Sequence, residues 1–485
     1  MKLRLLSLVL ALIMLLSVSV VMIGCNEEPP GQTDGPSDPN NQTNNDDPYA
    51  GYNIPDSLPE RNFASEGMEE FVIATQDANM TQFFWVEDYD GGTVDNAVYR
   101  SVSAVEERFG TTVTAYQAAS HLAIQTGITT QDGSFDFAFM LDVTAAGFSL
   151  ENLFTNLYDL EALDFSKPWW PDPSVAALTY QNKMYLGSST MSYLGLGQTF
   201  LTYFNKTIFT DNGLDYPYKD VMAGNWYLED MIELAEDYGN YDENNDIKDI
   251  EDTFGFLAPN GFYGWFESFG IELITKEDGN LVLNASCEEA YDLIENVHYI
   301  IIESDGGYTD SEQNVNQMFS NNQAMFVYGK LRNAYDTFRY HTVDYGILPV
   351  PKLNEDQENY HSAYTDRFFV IPSSSVSGKD AQDIGFILEA LSAQGYRTIY
   401  PAYYEEAMQN RYSTDAESKQ ILSMLHQYRV ISFSYVYGGK ECYSRALNTL
   451  IAERQSKDYA SFLAEGADAA EQKLIKLRDL FAGLN

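Results

Sequence analysis

Two positive charges, Lys2 and Arg4, open the chain, and an apolar run from Leu5 to Ile23 follows and stops at Gly24-Cys25. Behind the stop, residues 26–60 hold seven of the sixteen prolines, eight carboxylates and no Lys or Arg. Together these sixty residues limit where a fold can begin. A charged start, an apolar middle and small residues at the break have the form of an export signal. The run also approaches the about 20 residues that span a bilayer, so an uncleaved anchor helix is the alternative. Residues 26–60 cannot bury enough apolar surface to offset their ordering entropy and are expected to be an extended, disordered spacer. What must fold is the remainder, from about Met68. Its 418 residues are too many for one core, so at least two domains are expected.

The break at Gly24-Cys25 resembles a bacterial lipoprotein signal, in which a small residue precedes the cysteine that carries the lipid. Met22 stands where Leu is more usual. The resemblance implies a signal peptide over 1–24, lipidation at Cys25 and a linker over 25–67. Cleaved or not, the body is expected to be held at the extracellular face of the cell membrane.

The formal net charge is −44, and loss of Lys2 and Arg4 with the signal leaves −46. A surface of that sign repels nucleic acid and anionic lipid, which removes both as general partners. Aromatics are 14% of the chain, with 35 Tyr, more than a core of this size requires. Tyr and Trp offer flat apolar faces with a polar edge, which suit sugar rings as well as ordinary cores. After Cys25 there are two cysteines, Cys287 and Cys442, and their pairing is open. Cys287 reads as a buried helix position. No Cys or His cluster has zinc spacing.

Along the body, strand and helix patterns alternate. Phe71–Thr75, Thr112–Tyr116 and Phe135–Met140 read as strands, the last ending at Asp142. Between the first two, Val94, Val98, Val102, Val105 and Phe109 share one helix face, with Thr93 as cap and Gly110 as stop. The order strand, helix, strand predicts a parallel sheet with crossover helices. Phe200–Phe204 is a further strand, and Leu228, Met231, Ile232, Ala235 and Tyr238 line a helix. Ser286 and Glu289 make a capping box before a helix buried through Tyr291, Ile294, Val297, His298 and Ile301. Tyr345–Pro349 and Phe368–Pro372 are short strands. A terminal helix from about Lys457 to Leu480 turns Phe462, Leu463, Leu474 and Leu477 inward.

At Phe204-Asn205-Lys206, and in blocks that span most of residues 68 to 440, the chain resembles the extracellular solute-binding proteins (family 1 type) of carbohydrate ABC transporters. Several blocks carry the likeness in family order. Asp95–Arg100 with Val105–Phe109 is similar to the first helix of the clostridial-type members. Leu157–Leu160 leads to Pro168-Trp169-Trp170. Phe204-Asn205-Lys206 and Gly224-Asn225-Trp226 follow, then Met318–Ser320 with Ala324–Phe326, Tyr345–Pro349 and Val370–Ser373. The resemblance implies an α/β, two-lobed periplasmic-binding-protein-like (type II) fold, with mixed sheets flanked by helices and a hinge between the lobes. It places the N-terminal lobe at 68–195 and 318–375 and the C-terminal lobe at 196–317 and 376–485. It also implies a monomeric, non-enzymatic binding component that captures a carbohydrate and delivers it to the permease subunits of an ABC importer. The abundant aromatics point to a neutral oligosaccharide.

A sugar site needs ring-face platforms and acceptors for hydroxyls, in loops at the carboxyl ends of strands. The candidates are Trp85 with Glu87 and Asp88, then Asp142, Trp169 and Trp170, Trp265 with Glu267, and Tyr364 with Asp366. Each Trp is equally a core residue by type. Asp242, Asn244, Asp246 and Asp252 start like a calcium loop, although Ile247 replaces the usual Gly and Thr253 the usual Glu. A structural calcium is the one cofactor this pattern suggests, against a plain solvated acidic turn. A secreted glycosidase is the rival enzyme reading. Among 72 carboxylates its acid and base can be neither found nor excluded, and no Gly-x-Ser-x-Gly nucleophile motif is present. A sensor or adhesin on the same fold is the third reading.

Overall fold

Alternation of apolar strands with one-sided helices builds two separate sheets. The computed structural model describes residues 58–89, 91–239, 248–404, 408 and 415–484. In chain order its strands are β1 (Glu70–Thr75), β2 (Thr112–Gln117), β3 (Phe137–Leu141), β4 (Phe200–Asn205), β5 (Phe254–Pro259), β6 (Ile274–Glu277) and β7 (Asn280–Leu283). They continue with β8 (Gly307–Asp310), β9 (Ala324–Lys330), β10 (Tyr345–Leu348), β11 (Ser362–Ala363), β12 (Arg367–Val370) and β13 (Arg429–Val430). The first sheet has the order β12-β3-β1-β2, with β1 parallel to β2 and β3 and β12 antiparallel to β3. The second has the order β10-β4-β9-β5-β8, with β4 antiparallel to both its neighbours.

The central strands read as unbroken apolar runs because both their faces are covered. Every residue of β4 is buried, as are the first four of β3. The helix Thr93–Phe109 lays Val94, Val98, Val102, Val105 and Phe109 on its sheet as the spacing predicts. Gly110 ends it in the left-handed region at φ 58°. The N-cap, however, is Gly92 without a side-chain bond, and Thr93 is the first helical residue. Among the described residues no helix is long and apolar enough to cross a membrane.

Several expectations are corrected by pairing over long sequence distance. The chain packs from Leu58, not Met68. Phe63 is fully buried, with its ring centroid 5.1 Å from Phe71 and 5.5 Å from Phe386. Leu58 and Phe63 therefore belong to the core, and residues 58–67 lie against the body rather than in the linker. β9 and β10, expected with the first lobe, pair with β4 and β5 in the second sheet, and within 318–375 the first sheet receives β12. The helix Ala381–Pro401, expected in the second lobe, packs on the helix Thr93–Phe109, with Phe386 4.9 Å from Phe109.

Smaller differences have local causes. The helix Glu288–His298 is N-capped at Cys287 without a side-chain bond, so no capping box forms at Ser286. Cys287 is half-buried, Tyr291 lies outward, and Cys442 is buried and unpaired with Cys287. In the terminal helix Tyr459–Ala482, Leu474 and Leu477 are buried, whereas Phe462 and Leu463 are partly exposed.

Candidate functional site

Open α/β sheets bind ligands beyond the carboxyl ends of their strands. Here the carboxyl ends of two strands from each sheet converge. Phe83, just after β1, meets the Tyr193 ring edge-on at 4.9 Å and lies under the guanidinium of Arg332, which follows β9, at 5.5 Å. Asp142 follows β3 and begins the helix Asp142–Ser149, which packs against the turn Ser434–Gly438. Tyr263 follows β5 and carries the guanidinium carbon of Arg445 4.0 Å above its ring centre.

The turn after β5 is shaped to present Tyr263. Gly264 adopts φ 74°, and a Cβ there would stand 2.5 Å from the Phe200 ring, so glycine is required. The Tyr263 carbonyl accepts the Tyr328 hydroxyl at 2.9 Å, and the Asn260 carbonyl accepts Asn448 Nδ2 at 2.8 Å. A cavity of about 90 Å³ opens beside this turn. Phe200, Tyr263 and Tyr328 supply its aromatic walls, and Glu312 and Lys330, an ion pair at 2.6 Å, its charged edge.

The predicted site residues divide into three groups. Asp142, Glu267 and Trp265 lie at or behind the strand ends. Asp142 is 2% exposed and its Oδ1 accepts the Val143 N–H at 2.7 Å. Burial pushes its carboxyl up, against the pull of Arg367 and Arg445. Glu267 is also buried, and burial raises its carboxyl to about 8, with its own backbone N–H opposing and Glu272 adding to the rise. Trp265 is packed among Tyr328 at 4.9 Å, Phe262 at 5.4 Å and Phe269 at 5.8 Å, and so backs Tyr263 rather than offering a face itself.

Trp169, Trp170, Tyr364 and Asp366 are placed in the core instead. Both indoles donate to one buried carboxylate, Trp169 to Glu389 Oε1 and Trp170 to Glu389 Oε2, each at 2.9 Å. Asp366 accepts the Ser188 hydroxyl and, at 2.8 Å, the Arg367 N–H. Burial raises its carboxyl to about 6, against the Ser188 bond and the nearby Arg429 and Arg367. Tyr364 is buried under Arg429, which donates from Nη2 to the Gly195 carbonyl at 2.7 Å and from Nε to Thr199 Oγ1 at 3.1 Å. Residues 188–199 and 349–366 are the stretches that pass between the two sheets. These groups therefore tie the crossings together.

Trp85 is half-buried with its Nε1 bonded to the Val113 carbonyl at 2.8 Å, and Glu87 and Asp88 are exposed on the loop beyond it. Asp242, Asn244, Asp246 and Cys25 lie outside the described residues. Asp252 is described, and its Oδ2 accepts the Asp249 N–H at 2.8 Å. Among the described residues no three His, Cys, Asp or Glu gather as metal ligands. A cavity of about 500 Å³ is lined by Phe269 and Glu272, on the segment that continues from the β5 turn, and by Asp356, Glu358 and His361.

Sequence reasoning missed Arg445, Arg429 and Glu389. Their partners lie 182, 65 and about 220 residues away in the chain, and no local spacing marks such contacts.

No protein-family model matches the chain, and no curated protein matches it in sequence. Solved structures do match. A cyclo/maltodextrin-binding protein complexed with maltotetraose superposes with a TM-score of 0.56 at 16% identity, over 84% of this chain and 97% of that one. An ABC substrate-binding protein from Listeria monocytogenes in complex with cycloalternan gives 0.53 at 13%, over 84% and 99%. The maltose/maltodextrin-binding domain from Bdellovibrio bacteriovorus bound to maltotriose gives 0.53 at 15%, over 84% and 99%. The architecture read from the sequence is borne out: this chain has the two-lobed α/β fold of the sugar-binding proteins of ABC transporters.

Proposed function

We propose that the protein is the extracellular substrate-binding component of an ABC importer, that it captures an oligosaccharide between its lobes, and that it hands the ligand to a membrane permease. One observation carries this reading. In a fold shared with proteins solved around maltotetraose, cycloalternan and maltotriose, Arg332 after β9 lies over Phe83 after β1, and Arg445 lies over Tyr263 after β5 and within electrostatic reach of Asp142 after β3. Aromatic faces and a few oriented polar groups are what a sugar ring and its hydroxyls require.

Capture would work by closure. A ligand that touches both lobes favours the closed arrangement by its extra contacts there, and the closed form is the one a permease would recognise. The protein performs no chemistry on the ligand, acts as a monomer, and is retained by a lipid on Cys25 after removal of residues 1–24. Titration calorimetry against a glycan panel, with the ligand recovered and analysed afterwards, tests the proposal. Binding of an oligosaccharide that is returned intact is expected. Heat from peptides alone would overturn it, and cleaved sugar would favour the glycosidase reading.

A further inference from the structure

Seventy-two carboxylates outnumber 28 Lys and Arg in this chain, so an arginine that lacks an acidic partner calls for a reason. Arg61, Arg332, Arg454 and Arg478 each have a carboxylate oxygen within reach. Arg445 and Arg367 pair with no carboxylate among the described residues. Arg445 lies over Tyr263, with no hydrogen bond from its guanidinium to any described residue. Arg367 makes one long contact, from Nη1 to the Asp366 carbonyl at 3.5 Å. Both side chains are half-buried.

The two arginines share one neighbourhood. Arg367 opens β12 opposite Leu141, the last residue of β3, so it sits at the same strand end as Asp142. Asp142 feels the charge of both Arg367 and Arg445, and Tyr435 feels Asp142, Arg445, Glu267 and Tyr263. Burial favours the neutral form of Glu267, raising its carboxyl to about 8. Asp366, on the inner side of Arg367, feels both Arg367 and Arg429. Among the described residues the local inventory is thus three guanidiniums against the carboxylates of Asp142 and Asp366, inside a protein of net charge −44.

Closure over a neutral ligand would take Arg445 and Arg367 out of water beside fewer carboxylates than guanidiniums, and with no hydrogen-bond acceptor for the Arg445 guanidinium among the described residues. A buried charge left without a partner is strongly unfavourable. Arginine's planar fork matches a carboxylate or sulfate oxygen pair, and contact with the Tyr263 ring holds the Arg445 guanidinium in place. The surrounding negative field is screened beyond about 8 Å at physiological salt, so recognition would act at contact distance.

We infer that the ligand is an acidic saccharide, whose carboxylate or sulfate ester lies against Arg445 and Arg367 in the cleft. This rests on the reading of the cleft as a saccharide site, and it replaces the neutral sugar expected from composition.

The test is calorimetry on the full chain with three oligosaccharides of equal length: a neutral glucan, an oligogalacturonide and a sulfated galactan. One acidic ligand is expected to bind at least about tenfold tighter than the neutral one, and which of the two does so separates carboxylate from sulfate. Arg445→Gln should cut that preference about tenfold, and Arg445→Lys, which keeps charge but not the fork, should restore part of it. If Arg445→Gln does not fold, Arg367→Gln is read in the same way. Neutral sugar binding as tightly as both acidic ones, or a preference unchanged in the Arg→Gln variants, would overturn the inference and leave the saccharide site standing. If none of the three binds while another solute does, the saccharide reading itself fails.

Discussion

The guanidinium carbon of Arg429 lies 3.9 Å from the centre of the Tyr364 ring, with both side chains buried. The same guanidinium holds Gly195 and Thr199 on the neighbouring crossing. One side chain thereby fastens two of the stretches that pass between the lobes. Its removal strips a stacking partner and two hydrogen bonds from a dry site and takes a counter-charge from Asp366. Arg429→Ala is expected to lose about 3–5 kcal/mol of stability by urea unfolding, and Arg429→Lys somewhat less, because an ammonium cannot both stack and reach two acceptors.

Asp366 makes stability at this junction depend on pH. Its folded carboxyl titrates at about 6, above the ordinary 3.8 of an unfolded chain. Between those values the folded state holds a proton that the unfolded state has lost, so this group's stabilisation is complete below 3.8 and falls as pH rises through 6. The fall is up to about 3 kcal/mol, and Asp366→Asn should flatten that part of the curve. Urea midpoints measured from pH 4 to 7 in the two proteins check it. An identical slope in both would remove Asp366 as the cause.

Glu389 should behave in the same direction and higher in the range. Burial raises it to about 7 against the bonds from Trp170 and Trp169. Glu389→Ala leaves two buried indole N–H groups without acceptors and is expected to cost about 3–5 kcal/mol by thermal or urea unfolding. Glu389→Gln keeps one acceptor oxygen but points an amide N–H₂ at the second indole, and should cost less than alanine does.

Trp265 and Tyr263 should separate stability from binding. Trp265 is 2% exposed among other aromatic rings, so Trp265→Ala is expected to destabilise by about 3–5 kcal/mol. Tyr263 is 38% exposed, so Tyr263→Ala should change stability little while it frees Arg445 and weakens ligand binding. Unfolding curves and calorimetry on the two variants give the comparison.

The anchor is checked by fractionation. Cys25→Ala should move the protein from the membrane fraction to the medium, and retention of the variant at the membrane would favour an uncleaved helix over residues 5–23.

Local pattern carried much of this architecture. The strands at Phe71–Thr75, Thr112–Tyr116 and Phe200–Phe204 and the helix face from Val94 to Phe109 stand where apolar spacing puts them. What local pattern lacks is the partner. β9 looks like any returning strand until β4 and β5 take it into the second sheet. Trp169 and Trp170 look like sugar platforms until Glu389, far along the chain, turns their edges into core hydrogen bonds. Arg445 sits in a stretch with no local motif, and it acquires meaning from Tyr263, which follows a strand 182 residues earlier.

The first sheet is completed by β12, some 225 residues after β3, and its outer layer by the helix that brings Phe386 onto Phe63 and Phe109. On the proposed export route, neither of these closures can form while the downstream chain is still inside the cell. An exported chain of this topology therefore crosses the membrane without a finished first lobe and assembles it only after about residue 390 has emerged. Its folding must be slow relative to that of proteins rich in local contacts, and open in the meantime to proteases and chaperones at the outer surface.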